Sequence, residues 1–390
     1  SDLRRRDRRG GGGGERGTAP LTDGESSEES DAGSSGRDDS EHHHPAPKGA
    51  TLNGRYVIEK QVGLGTFGKV VRCLDSLSGD GRRAQAVAVK IVRRVRRYRD
   101  SAKIEADLLY DVNAHARGRA LCSQILAHFD EQGHYCLVLE ELGRSLYDYL
   151  KGNAYAGFPP GHLRAFGRQL LECLAFLKDI KLIHTDLKPE NVLVCPGRDV
   201  EAAGPGGRRI LVPAEPRIKV IDFGGATYDD EHKSSIINTR QYRGPEVTLG
   251  LGWSFPSDQW SVGCILAELF SGELFFGTHA NNEHLALMEK SLGPFPETVW
   301  CNASKEGAKY FDSQGRVRTD EFGKANRRRV AEQLPVAAFA AEGPAGLGPL
   351  LAGLLALDPA RRLTPEAALA HAFFAGEEEA AGHSDAGGGR

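Results

Sequence analysis

Paired cysteines are the first thing this sequence lacks. Its seven cysteines, at 73, 122, 136, 173, 195, 264 and 301, never fall in a Cys-x-x-Cys spacing. Such a scatter fits neither a structural zinc site nor a disulfide framework, so an intracellular setting is expected. No run approaches the ~18 apolar residues of a membrane span, and no secretory leader is seen. The chain opens on serine, which leaves open a preceding targeting segment. A strong charge of one sign is also missing. The net charge of −3 over 390 residues argues against a protein that wraps nucleic acid. No direct nucleic-acid or membrane contact is expected, and the length allows one large domain or two moderate ones.

Apolar residues are almost absent from positions 1–50. Residues 1–16 hold six arginines against three acids around a glycine run, whereas residues 23–41 hold eight acids, one arginine and several serines. With nothing to offset the entropy of ordering, a disordered tail is expected. It is either a solubilising extension or a partner-binding, phosphorylatable arm. Ser26 and Ser27 sit beside acids, and Arg4-Arg5-Arg6 with Arg8-Arg9 suit nuclear import.

A strand is expected from Tyr56-Val57-Ile58 into Val62-Gly63-Leu64-Gly65-Thr66-Phe67-Gly68-Lys69-Val70. Glycines 63, 65 and 68 between β-formers make a hairpin whose N–H groups can close over phosphates, with Val62, Leu64, Thr66, Phe67 and Val70 beside them. A dinucleotide fingerprint would need the glycines to open a helix; Val70-Val71-Arg72-Cys73-Leu74 instead continues as strand. Val87-Ala88-Val89-Lys90 is an alternating strand in which Ala88 belongs to the nucleotide pocket and Lys90 is set to pair with phosphates. Fifteen residues on, Glu105 lies in the helical Ser101–Leu109 stretch. Asp107 competes with it to face Lys90, but Glu105 shares a face with Leu108 and Leu109. The intervening Arg93, Arg94, Arg96, Arg97 and Arg99 read as a solvated loop or as a dock for acidic or phosphorylated segments.

Cys136-Leu137-Val138-Leu139-Glu140 is an apolar strand ending in an acid. By its order it leads to an interlobe hinge. There the backbones of Glu140 and Leu142 can bond an adenine edge, Leu139 flanks the pocket, and Asp148 reaches for a ribose. An amphipathic helix carrying Phe166, Leu170, Leu171, Leu174, Phe176 and Leu177 follows. It ends before His184-Thr185-Asp186-Leu187-Lys188-Pro189-Glu190-Asn191. An Asp and an Asn five apart are usually only a turn. In the H-x-D-x-x-x-x-N pattern, however, Asp186 receives a hydroxyl proton, Lys188 steadies a moving phosphoryl group and Asn191 holds Mg2+. Leu193, just beyond, is assigned to the nucleotide pocket.

The strand Asn191-Val192-Leu193-Val194 should return at once to a second metal-binding aspartate. Instead a Gly-, Pro- and charge-rich stretch intervenes before Ile218-Lys219-Val220-Ile221-Asp222-Phe223-Gly224, so Asp186 and Asp222 stand 36 apart. An insertion over about 195–216 is expected as a surface excursion. A glycine hairpin, a strand lysine, the H-x-D…N loop and Asp-Phe-Gly in this order describe a eukaryotic protein kinase. The expected fold is α+β and two-lobed. A mostly antiparallel small lobe (55–141) with one helix faces a mostly helical large lobe (144–375), with ATP and Mg2+ between them and a flexible tail at 376–390.

The segment from Asp222 to Glu246 closes on Thr239-Arg240-Gln241-Tyr242-Arg243-Gly244-Pro245-Glu246. Thr239 is placed to bond Asp186 and Lys188, Asp258 to brace the catalytic-loop backbone, and Arg362 to pair with Glu246. Thr185 stands where such loops carry an arginine that needs a phosphate to compensate its charge. Its absence suggests a segment ordered by direct packing, without an upstream activating kinase.

Glu283-His284-Leu285-Ala286-Leu287-Met288-Glu289-Lys290, continuing through Gly293-Pro294, resembles the name-giving motif of the LAMMER, or CDC-like, protein kinases; Leu287, Lys290 and Ser291 are departures. His184-Thr185-Asp186, Gly225 to His232, Leu251-Gly252-Trp253 and the insertion are similar to that family as well, and the likeness covers about 53–375. The resemblance implies a nuclear dual-specificity kinase that phosphorylates Arg/Ser-rich splicing factors and autophosphorylates on tyrosine. A monomer acting on protein substrates is expected. Long Arg-Ser repeats are missing from the N-terminus, which puts speckle-type targeting in question. A catalytically silent scaffold and a small-molecule kinase are the rival readings.

Overall fold

The computed structural model describes residues 43–77 and 84–377. The expected tail up to residue 42, with its arginine and serine clusters, and the stretch after 377 lie outside the described residues.

Six strands, β1 (Thr51–Leu52), β2 (Tyr56–Gly65), β3 (Gly68–Asp75), β4 (Gln85–Val92), β5 (Ile125–Glu131) and β6 (His134–Glu140), form one sheet in the order β1-β2-β3-β4-β6-β5. Every neighbouring pair is antiparallel. The period of two decides which side chains are inside. Val87, Val89 and Ile91 of β4 join Ile58, Val71, Cys73, Cys136 and Val138 in the small-lobe core. Between β4 and β5 run α1 (Arg96–Ala114) and the short α2 (Ala116–Leu121). The buried stripe of α1 is Ala102, Glu105, Ala106, Leu108, Leu109 and Val112. Three- and four-residue spacing therefore carries Glu105 inward with the apolar face.

The order starts earlier than the expected boundary at 55. Leu52 is buried in β1, and Ala46 and Ala50 pack against the small-lobe core. Small side chains fill the sheet edge there, a kind of packing that composition alone does not announce.

The large lobe is built from α3 (Leu146–Gly152), α4 (Pro160–Asp179), β7 (Leu182–Ile183), β8 (Val192–Val194), β9 (Asp199–Ala203), β10 (Arg209–Pro213), β11 (Ile218–Val220) and β12 (Thr227–Tyr228). Then come α5 (Pro245–Leu249), α6 (Pro256–Ser271), α7 (Asn281–Leu292) and shorter helices. The α6 helix is buried from Ser257 to Leu269, including Trp260, and acts as the pillar on which the catalytic loop rests.

The insertion is a surface excursion, as expected, and an ordered one. Strands β9 and β10 pair over five residues, and Ile210 and Val212 are buried. Asn153 bonds Leu211 twice, donating from Nδ2 to its carbonyl at 2.8 Å and accepting from its N–H at 2.9 Å. His162 meets Pro213 O at 2.9 Å. These bonds fasten the hairpin to α3 and α4.

Candidate active site between the lobes

A cleft of about 600 Å³ opens between the lobes. Of the residues expected at the nucleotide, Val62, Gly63, Val70, Ala88, Lys90, Leu139, Glu140, Leu142, Asp148 and Leu193 line it, as does Asp222. Leu64, Gly65, Thr66, Phe67 and Gly68 do not; they form the hairpin tip beyond the lining. Gly68 has a different reason to be glycine, since a Cβ there would stand 2.2 Å from Ile91 O. It permits the close approach of β3 to β4. Lys60, Arg72, Val87, Ser123, Glu141, Arg144, Ser145, Glu190 and Ile221 also line the cleft and carry no sequence signal of their own.

At the hinge the Glu140 carboxylate turns away from the cleft, to Gln124 N at 2.8 Å and Lys219 Nζ at 2.6 Å. Gly143 N donates to Val194 O at 2.8 Å. Leu142 makes no backbone hydrogen bond among the described residues, so its amide is left for a ligand edge. Asp148 Oδ2 accepts from Ser145 N and Oγ in a capping box. That bond orients the carboxylate at the mouth of the cleft.

Lys90 Nζ donates to both Glu105 oxygens at 2.8 Å and to Asp222 Oδ1 at 3.2 Å. Glu105, not Asp107, faces the lysine, as the helix face requires. Burial pulls the Lys90 ammonium down, but Glu105 and Asp222 outweigh it and hold its pKa above the ordinary lysine value. Lys90 in turn keeps the Asp222 carboxyl below its usual range, while burial leaves Glu105 raised. One cation between two carboxylates leaves a net negative charge, and Asp222 is the more open of the two, at 40% side-chain exposure against 5% for Glu105.

The catalytic loop hangs from α6. Asp258 Oδ2 and Oδ1 accept the His184 and Thr185 amides at 2.7 and 3.0 Å. His184 is buried against Phe223 and reaches Ile221 O at 2.9 Å. Asp186 Oδ1 accepts from Thr239 N and Oγ1 at 2.9 and 2.8 Å, and its Oδ2 accepts from Lys188 Nζ at 2.8 Å. Lys188 also bonds Thr239 Oγ1 at 2.9 Å. Asn191 Nδ2 donates to Asp186 O at 2.9 Å, which fixes the amide and turns its oxygen outward. A carboxylate (Asp222) and an amide oxygen (Asn191), with the remaining positions left to water and phosphate, is a donor set that suits Mg2+.

Thr185 holds a left-handed φ of 69°, unusual for a β-branched residue. Its Oγ1 donates to Gly225 O at 2.7 Å and its carbonyl accepts from Asn238 N at 2.8 Å. A Cβ on Gly225 would stand 2.9 Å from that hydroxyl. Arg243 donates to Ile237 O and Asn238 O, both at 2.8 Å. The activation segment is thus tied at both ends by groups the chain already carries.

Comparison with known proteins agrees with this geometry. The protein kinase domain family model matches residues 56–374. The serine/threonine-protein kinase AFC2 of Arabidopsis thaliana is 43% identical over 340 residues, covering 84% of this chain and 78% of that protein. The dual specificity protein kinase CLK1 of Mus musculus is 43% identical over 333 residues, covering 84% of this chain and 67% of that protein. The dual specificity protein kinase lkh1 of Schizosaccharomyces pombe is 39% identical over 82% of this chain and 47% of its own length. A crystal structure of a kinase domain superposes with a TM-score of 0.79 at 35% identity, over 86% of this chain and 100% of that one. The chain belongs to the LAMMER, or CDC-like, family and is a dual-specificity protein kinase.

Proposed function

We propose that this kinase transfers the ATP γ-phosphoryl group to serines of Arg/Ser-rich splicing factors, works in the nucleus as a monomer, and autophosphorylates on tyrosine. Asp186 orients the attacking hydroxyl and accepts its proton, Lys188 and Thr239 hold that carboxylate in place, and Lys90, fixed by Glu105, takes the nucleotide phosphates. The glycine hairpin closes over the phosphates, and the hinge from Leu139 to Leu142 holds the base. Mg2+ held by Asn191 and Asp222 would neutralise charge on the phosphate oxygens.

The acidic floor of the cleft carries the basic-substrate reading. Asp148 and Glu190 line it, whereas Glu268 is buried in α6 at 4% exposure, outside that lining. Burial raises the Glu268 carboxyl to about 7, against a Tyr242 hydroxyl that donates to it at 2.5 Å, and Glu190 repels a second charge. Carboxylates crowded beside a nucleophile site are relieved by an incoming guanidinium. The thermal midpoint should fall as pH rises through about 7, and Glu268→Gln should flatten that dependence. A carboxyl raised in the fold favours its protonated form, so its contribution is lost as pH rises from the ordinary carboxylate range through about 7. The test compares an Arg-Ser peptide with its Arg→Ala counterpart. Glu190→Gln should raise KM for the first by roughly tenfold and leave the second unmoved. Equal turnover of both peptides would remove the basic-substrate reading.

The ties at Thr185 and Arg243 support an enzyme active without an upstream kinase. Phosphatase-treated protein should keep its full rate on the peptide, and abolition of that rate would sink the idea.

A further inference from the structure

The insertion reaches the nucleotide cleft through one carboxylate. Asp199, the first residue of β9, accepts from the Tyr149 hydroxyl at 2.6 Å on Oδ1 and from the Arg144 guanidinium on Oδ2. Arg144 also lies over the Tyr149 ring at 4.1 Å. Tyr149 is buried, and burial with Asp199 beside it pushes the hydroxyl up to about 12, so it stays a donor. The ion pair alone is part-exposed, at 41% and 31%, and would contribute little. Sharing the carboxylate with a buried tyrosine is what holds both donors in one arrangement.

These two donors bracket Asp148. Arg144 stands one position before Ser145, the N-cap of α3, and Tyr149 one position after Asp148. The capping box that orients Asp148 is therefore gripped from both sides by a single residue of the insertion. Backbone bonds extend the grip, since Gly143 N donates to Val194 O and Val194 N donates to Arg144 O at 3.0 Å. Side-chain packing does not do this work. Glu141, Leu142, Gly143 and Arg144 line the cleft on one side and a second cavity of about 320 Å³ on the insertion side. The hinge exit is a wall between two openings, and bonds rather than a close-packed backing fix where it stands.

We propose that Asp199 is a positioning residue for nucleotide binding: by fixing Arg144 and Tyr149 it holds the start of α3 where Asp148 meets the ribose hydroxyls of ATP. This rests on the nucleotide reading of the cleft and not on the Arg/Ser reading of the substrate. The insertion then sets affinity for the nucleotide. It leaves phosphoryl transfer alone, because Asp186 and Lys188 are held by Thr239 and the loop beneath them by Asp258 of α6.

Steady-state kinetics of the full chain with ATP and with 2′-deoxy-ATP test it. Native protein should favour ATP by about tenfold in KM, the worth of one hydrogen bond from a hydroxyl to a carboxylate. Asp199→Ala should raise KM for ATP about fivefold while kcat and KM for 2′-deoxy-ATP stay within about twofold of native. Asp199→Asn, whose oxygen can still accept from Tyr149, should fall between the two. Asp148→Asn should erase the discrimination, and adding Asp199→Ala to it should change KM no further. Asp199→Ala that leaves KM for ATP unmoved, raises KM for both nucleotides alike, or lowers kcat instead overturns the clamp. If native protein and Asp148→Asn treat the two nucleotides alike, the ribose reading of Asp148 falls, and the clamp falls with it. A retained kcat reports that each variant is folded, so loss of structure cannot mimic the expected result.

Discussion

Asp186→Asn is expected to lower kcat on an Arg-Ser peptide by about 10²–10⁴-fold with Mg-ATP present. Asparagine keeps an oxygen that can accept the two Thr239 bonds, at 2.9 and 2.8 Å in the native protein. It then presents an amide N–H2 where Oδ2 accepted from Lys188 at 2.8 Å. Two donors would face each other, so Lys188 loses its anchor as the base is lost. Binding should be little touched, because the nucleotide is held by Lys90 and the hinge, and KM for ATP should stay within about threefold of native. The thermal midpoint should move little, since Asp186 is only part-buried. If the variant turned over the peptide as fast as native protein, another group would be taking the proton. Equal, negligible turnover in both would instead revive the silent-scaffold reading.

Much of this site could be read before any coordinate was known, for a physical reason. Phosphoryl transfer needs a few groups whose chemistry is rare at fixed spacing, and those groups sit at strand ends and tight loops where the backbone dictates identity. Glu105 was separable from Asp107 because helix periodicity alone decides which carboxylate turns inward. Thr239 was readable because its separation from the closing Glu246 is short and fixed. Other residues left no such trace. Ser123, Arg72 and Arg144 reach the cleft through tertiary packing that brings distant segments together, and no local pattern encodes that meeting. The insertion lies at the surface as expected, but its hairpin was not legible because its Gly and Pro content masks two short alternations, Val200/Ala202 and Ile210/Val212. Their partners, Asn153 and His162, lie some 50 residues earlier in the chain. Small apolar groups hid the start of the domain in the same way. Ala46 and Ala50 fill a sheet edge, whereas the surrounding sequence is polar enough to read as tail. At the hairpin tip, glycine has more than one use: Gly68 also permits the close approach of β3 to β4.

Arg362→Met should be the most damaging change outside the catalytic groups. Its guanidinium donates to both Glu246 oxygens at 2.7 and 2.9 Å and to Pro256 O at 2.7 Å, and it lies over the Trp260 ring at 5.1 Å. The two side chains are 0% and 1% exposed. Methionine can fill much of the volume and keep the contact with Trp260, but it leaves a carboxylate with no cation in a dry site. Breaking such a pair costs about 3–5 kcal/mol, which for a domain this size corresponds to a fall in thermal midpoint of about 10 °C. Glu246→Met combined with Arg362→Met removes the stranded charge and should recover at least half of the loss. The pair joins the end of the activation segment to the base of α6, whose first turn carries Asp258. The single variant should therefore also lose activity at temperatures where it is still folded, because the Asp258 bonds to His184 and Thr185 loosen first. A midpoint within about 1 °C of native for Arg362→Met would mean that water reaches Glu246 and that the pair is not buried in solution. A double variant no better than the single would place the cost in lost packing around Trp260 instead. The catalytic loop therefore depends on a distant ion pair as directly as on its own residues, since both act on the geometry that Asp186 must hold.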